Sequence, residues 1–190
     1  MARPRSDDKR SAILLAATRI FAERGLGAPT ATISGCAGVA EGTLFVYFKT
    51  KDDLLNQLYR EIKLELADAM MSGFLRKKSV HCRLQHIWDQ YTKWGVMYPE
   101  RRKVLKQLQM SDRLTRESKV AGSAPFAEIE TMARDAIEQH IVQDIPLEFI
   151  SAMMETVAQT TMEFMASNPV GADTYRTLGF DVFWKGITRK

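Results

Sequence analysis

The chain is poor in residues that staple a fold or ligate a metal. Its two cysteines, Cys36 and Cys82, stand far apart. They exclude a disulfide scaffold, leave no CxxC pair for zinc, and fit a reducing cytoplasm. His81 and His86 lie five apart, off a single helical face, and no carboxylate nearby completes a metal set with them and Cys82. No run of about 18 apolar residues occurs, and the basic start MARPRSDDKRSA has no apolar stretch behind it, so neither a membrane span nor a secretory signal is expected. Strand-like alternation is lacking throughout. No nucleophile, acid/base pair or metal spacing points to catalysis, so the expectation is a protein that is not an enzyme and carries no cofactor.

What remains is ordinary globular composition over 190 residues, 45% apolar and 26% charged, enough for one large or two small domains at about 150 residues each. The charge is unevenly placed. Residues 1–51 hold eight basic and four acidic side chains, whereas residues 52–190 hold nineteen of each. All of the net charge of +4 therefore belongs to the first quarter, as in a basic nucleic-acid-binding head joined to a neutral body, since phosphate responds to local potential.

Helical periodicity organises the chain. Ile13, Ala17, Ile20 and Phe21 form one stripe, with Ser6, Asp7 and Asp8 expected ahead of it as capping and dipole-matching residues and Gly25 closing it. Thr50, followed by Asp52 and Asp53, reads as an N-cap, and Leu54, Leu58, Ile62, Leu66 and Met70 then repeat every four residues in a long helix ending near Gly73. Pro99, Pro125, Pro146 and Asn168-Pro169 mark later helix boundaries. A further stripe runs through Ile129, Met132, Ala133, Ala136, Ile137 and Ile141. The expected fold is all-α, about nine helices, with an amino-terminal three-helix domain over 1–51 and a helical body over 52–190.

Residues 30 to 48, TATISGCAGVAEGTLFVYF, have the logic of a helix-turn-helix. Gly38 serves as the pivot, because a tight turn between steeply crossing helices commonly needs a positive φ. Ile33, Ala37, Val39 and Leu44 would join the helices, with small Ser34 allowing close approach. Glu41, Gly42, Thr43, Phe45, Val46 and Tyr47 would occupy the start and outer face of the second helix.

The segments ILLAATRIFAERG and ISGCAGVAEGTLFVYFKTKDDLL resemble, without a gap from about Ile13 to Leu58, the amino-terminal signature of the TetR family of bacterial transcriptional repressors. The resemblance implies a DNA-binding head, a ligand-binding and dimerising helical body, and repression relieved by a small molecule. Later segments such as LYREIK and LGFDVFW are similar to those of the multidrug-responsive repressors of enteric bacteria, a resemblance that implies control of drug efflux. Carried across, Thr43 and Tyr47 match phosphate-bonding positions, and Lys51 matches a lysine at the amino end of the fourth helix. Glu41 and Gly42 fall where base edges or close backbone approach are expected. Phe45 replaces a commoner tyrosine and could meet a thymine methyl. Ala40 replaces a common serine cap, weakening it or shifting capping to Thr30. Arg3, Arg5, Lys9 and Arg10 form either a minor-groove arm or a solvated one.

Nine of ten methionines and all three tryptophans follow residue 52, a polarizable and adaptable interior. Tyr59, Lys63 and Met70 on the fourth helix, Trp88, Tyr91 and Trp94 on the next, and Ser151 and Met154 later are the candidate ligand-binding residues, for a hydrophobic or amphipathic inducer. The helices of about 147–166 and 172–188 resemble the pair that dimerises these repressors. The expected partners are thus a double-stranded DNA operator, a small-molecule inducer and a second copy of the chain, with no membrane. The alternatives are an architectural DNA binder without ligand, and a metabolite-responsive regulator of a catabolic operon.

Overall fold

The computed structural model describes residues 5–188. Among them it contains ten α-helices, two short 3-10 turns and no strand, bearing out the all-α expectation with one helix more than foreseen. The helices are α1 (Arg5–Arg24), α2 (Thr30–Cys36), α3 (Glu41–Tyr47), α4 (Lys51–Met71), α5 (Val80–Met97), α6 (Pro99–Gln109), α7 (Arg116–Ser123), α8 (Ala127–Glu138), α9 (Leu147–Ser167) and α10 (Ala172–Ile187).

Two compact units are present, one of Met1–Leu64 with Pro99–Ser123, the other of Glu65–Tyr98 with Ala124–Lys190. They divide the chain differently from the expected 1–51 and 52–190, because α4 as far as Leu64, α6 and α7 join the amino-terminal helices. In the first unit Ile13, Ala17 and Phe21 of α1 are fully buried with Ile33, Leu44, Phe48, Val104 and Leu108. At the start of α4 the Thr50 hydroxyl accepts the amide of Asp53 at 3.0 Å, so the foreseen cap is formed, and the Asp53 carboxylate accepts the amide of Lys49, one residue before the cap, at 3.0 Å. Buried Asn56 then spends its carboxamide on distant backbone, donating to the Arg113 carbonyl at 3.0 Å and accepting the Thr115 amide at 2.9 Å. Arg60 donates to Ser118 at 2.9 Å one turn on.

In the second unit α5, α9 and α10 pack around Trp88, Phe180 and Phe183, all essentially without exposed surface. The α4 stripe is buried along its whole length, from Leu54 to Met70.

Two local readings are corrected. Helix α1 already begins at Arg5, so Asp8 lies inside its first turn instead of ahead of it; Ser6 and Asp7 share that turn, and their side chains lie outside the described residues. Helix α8 ends at Glu138, because His140 takes a left-handed φ of 58° and the amides of Ile141 and Val142 both turn back to the Ala136 carbonyl. Val142, not Ile141, is thereby the buried residue.

Candidate nucleic-acid interface

The turn between α2 and α3 is built by glycine. Gly38 sits at φ +68°, as Gly25 after α1 sits at +79°, a region that a side chain occupies only with strain. The Val39 amide reaches back to the Ser34 carbonyl at 3.0 Å, closing the turn. Ile33, Ser34 and Leu44 are buried where the two helices meet. With Leu44 fixed inward, α3 turns Phe45 and Val46 outward, 41% and 79% exposed, while Thr43 and Tyr47 are half-buried and Glu41 and Gly42 are open.

Neither short helix has a side-chain cap, their N-cap residues being Pro29 and Ala40. Thr30 is instead the first residue of α2, and its hydroxyl donates to the Glu41 carboxylate at 2.6 Å, tying the starts of the two helices together. Lys51 opens α4 with its ammonium over the Phe21 ring, 5.9 Å from the centroid. Burial first, then the charge of Arg113, holds its pKa below the ordinary lysine value against the opposing pull of Asp52. A cation at a helix start is suited to meet a phosphate. Arg10 is no free arm: it lies within α1 and bonds Glu61 at 2.9 Å and Gln57 at 3.0 Å. Lys9 is an exposed residue of the same helix, while Arg3 and the side chain of Arg5 lie outside the described residues.

The candidate ligand-binding residues divide between the units, Tyr59 and Lys63 in the first and the other six in the second. Tyr59 is buried, with Gly122 so close that a Cβ there would lie 2.5 Å from its ring. Lys63 is half-buried. Met70 is buried; Tyr91 and Met154 are half-buried. Trp94 donates to Glu65 at 3.1 Å. Ser151 is exposed and its hydroxyl returns to the Leu147 carbonyl. Trp88 is fully buried, stacked on Phe183 with the rings 10° from parallel. On the same unit α9 and α10 frame a groove of about 330 Å³ that includes Phe164, Tyr175, Leu178 and Val182. Phe164, Leu178 and Val182 are each more than half exposed.

Sequence reasoning placed Phe45 and Val46 correctly on the outside but missed the Thr30–Glu41 bond, since nothing in the order of residues says which side chains two crossing helices will face across their starts. Among the described residues no group of three or more His, Cys, Asp or Glu is placed to hold a metal ion, and no helix is long and apolar enough to cross a membrane.

Residues 13–58 match the family model of the bacterial regulatory proteins of the tetR family. The fold is similar to that of a protein described as a tetR family transcription regulator from Shewanella sp. PV-4, at 25% identity over 96% of this chain and 99% of that one, with a TM-score of 0.85. A TetR family transcription regulator from Marinobacter aquaeolei VT8 is similar at 21% identity, over the whole of both chains, with a TM-score of 0.89. The transcriptional regulator FadR from Bacillus subtilis, solved in complex with stearoyl-CoA, is similar at 18% identity over 94% of this chain and 99% of that one, with a TM-score of 0.71. The head thus matches the tetR family model over residues 13–58, and the fold is similar to that of solved TetR-family regulators.

Proposed function

We propose that this chain, with its TetR-family head, is a dimeric repressor that binds an operator through α3 and leaves it when the second unit takes up a hydrophobic or amphipathic small molecule. The observation that carries the DNA-binding part is the two-sidedness of α3: Leu44 has no exposed surface, while Phe45 and Val46 face outward beside Thr43, Tyr47 and Lys51. A duplex groove is what such a face fits, with Thr43, Tyr47 and Lys51 holding phosphates and Glu41, Gly42 and Phe45 meeting base edges. Thr30 steadies Glu41 through its hydroxyl.

Two heads are needed because one short recognition helix binds weakly, and they must meet successive major grooves about 34–36 Å apart. The exposed apolar strip of α9 and α10 supports pairing with a second copy, since so much open apolar surface is costly on an isolated chain. Helix α4 carries Lys51 at its start and Met70 near its end, so an effector that shifts its far end alters how the head is presented. The methionine-rich second unit supports a ligand role, as does the acyl-CoA held by the similar Bacillus regulator.

The test is a titration of duplex from the chain's own promoter at low ionic strength, with the oligomeric state measured by light scattering. Binding as a dimer, weakened by an amphipathic compound, is the expected result. A monomer that ignores the duplex sinks the reading, and a dimer that binds but answers no compound leaves an architectural binder instead. The neighbouring gene separates efflux control from catabolic control.

A further inference from the structure

Arg83 and His86 stand three residues apart on α5, and each buries a side-chain nitrogen, Arg83 Nε and His86 Nε2, that has no hydrogen-bond partner. Both side chains meet one ring. The Arg83 guanidinium carbon lies 5.6 Å from the centroid of Phe74, and the His86 ring meets the same phenyl edge-on at 6.0 Å. Arg76 approaches it too, at 5.8 Å, but it is paired: Nε and Nη2 bond the two carboxylate oxygens of Glu128, each at 2.8 Å. That bond first, and then the charges of Arg76 and Arg83, hold the Glu128 carboxyl below its ordinary pKa against an opposing desolvation effect. Arg83 thus feels the Glu128 charge while Arg76 holds both of its oxygens. Exposed Lys77 and Lys78 in the same loop add two more positive charges.

A buried donor left unsatisfied costs about 1–3 kcal/mol, and folded proteins keep few of them. Two such nitrogens on one face, beside an apolar ring and in a net positive surrounding, call for one shared acceptor. An arginine Nε–H and an imidazole N–H, with His86 in the Nε2–H tautomer, are both donors suited to an oxyanion, whereas a cationic ligand would meet repulsion there.

We propose that Arg83 and His86 form, beside Phe74, a site for the carboxylate or phosphate head of an anionic ligand, so that the effector of this regulator is an anionic amphiphile and not a cationic compound. The proposal rests on the second unit being the effector domain. Phe74 is the apolar floor against which the first carbons of the ligand lie. The Arg76–Glu128 pair bounds the site and keeps Glu128 from filling it.

The experiment uses the full chain and three probes at constant ionic strength in chloride: sodium decanoate, inorganic phosphate and decyltrimethylammonium. Calorimetry reads binding, and anisotropy of labelled promoter duplex reads DNA affinity on the same samples. Decanoate or phosphate should bind wild type, with decanoate alone marking an alkyl carboxylate and phosphate alone a phosphorylated ligand. Arg83→Gln and His86→Gln should each weaken the bound anion roughly tenfold or more, as expected for charge-assisted bonds. Arg83→Lys, which keeps the charge but not the guanidinium fork, should fall between. Glu128→Gln should strengthen anion binding by removing the competing charge, and decyltrimethylammonium should gain nothing from an intact Arg83. The site is overturned if neither anion binds wild type, or if the Arg83 and His86 variants bind as wild type does. Duplex binding separates the failures: a wild type that grips DNA normally yet binds neither anion refutes the site alone, and a wild type that ignores DNA refutes the regulator.

Discussion

The indole N–H of Trp88 donates to the backbone carbonyl of Arg176 at 2.9 Å, joining α5 to α10 across 88 residues of chain. The same side chain stacks on Phe183 and has no exposed surface, and Arg176 is itself held by Asp89 at 3.1 Å. Trp88 is therefore a structural link of the second unit, and a ligand can meet it only if the ring moves. Trp88→Phe should keep most of the packing but lose the indole hydrogen bond to the Arg176 carbonyl, at about 0.5–1.5 kcal/mol; Trp88→Ala should cost about 3–5 kcal/mol. Thermal unfolding of the two variants measures the difference, and equal destabilisation in both would place the energy in the hydrogen bond.

Thr43 and Tyr47 flank the exposed face of α3. If both bond phosphates, Thr43→Ala combined with Tyr47→Phe weakens operator binding at all sequences alike. The slope of log affinity against log salt should also fall, by up to about 0.9 for each phosphate that the paired variant leaves unneutralised. Anisotropy titrations over a range of salt concentrations decide it. An unchanged affinity would remove these residues from the interface.

No arginine, lysine, asparagine or glutamine occurs in α3, EGTLFVY, so the bidentate readers of guanine and adenine are lacking. Phe45, 41% exposed, and Val46, 79% exposed, are what this helix offers to bases. Replacing thymine by uracil, one position at a time in the bound duplex, should therefore weaken binding by about 0.8 kcal/mol, roughly fourfold, wherever a methyl is covered. Phe45→Ala should abolish that sensitivity at its own position. Uniform indifference to uracil would show that α3 reads no methyl.

Burial holds the Tyr59 phenol above its ordinary pKa. The unfolded chain exposes it and loses that proton more readily, so the contribution of Tyr59 to stability is complete below about pH 10 and is lost as pH rises through the folded-state value. Tyr59→Phe should flatten the alkaline limb of a stability–pH profile while leaving the neutral plateau nearly unchanged. A limb of the same slope in both proteins would assign it to other groups.

Much of the head was legible because its information is local. Gly38 needed only a turn between two short apolar segments, and the Thr50 cap needed only an acidic residue three positions on. Four-residue spacing alone exposed the buried stripe of α4. The Asn56 hydrogen bonds were not legible, since their partners lie 57 and 59 residues away and no periodicity marks a side chain that serves distant backbone. The same holds for α6 and α7, whose helical pattern says nothing about which compact unit they join.

For the candidate effector residues the limit was different. Spacing put Trp88, Tyr91 and Trp94 on α5 together, and identified them as apolar, but apolar spacing is the same for a pocket wall and for a core. Only packing against Phe180, Phe183 and the Arg176 carbonyl made Trp88 an interior residue. Likewise His86 looked idle while its neighbours in sequence were the ones considered; Phe74 and the unbonded Arg83 nitrogen give it its setting.

The order of residues by itself determined the all-helical class, the turn at Gly38, the outward face of α3 and the basic bias of the first 51 residues, because helix formation, glycine geometry and charge act over a few residues. Only the tertiary structure decided that Thr30 binds Glu41, that Arg10 is tied down, that Trp88 is interior, and that Arg83 and His86 share the Phe74 ring with nitrogens left unbonded. Those outcomes depend on which helix faces meet across tens of residues, and burial and hydrogen bonding at such meetings are properties of the packed chain.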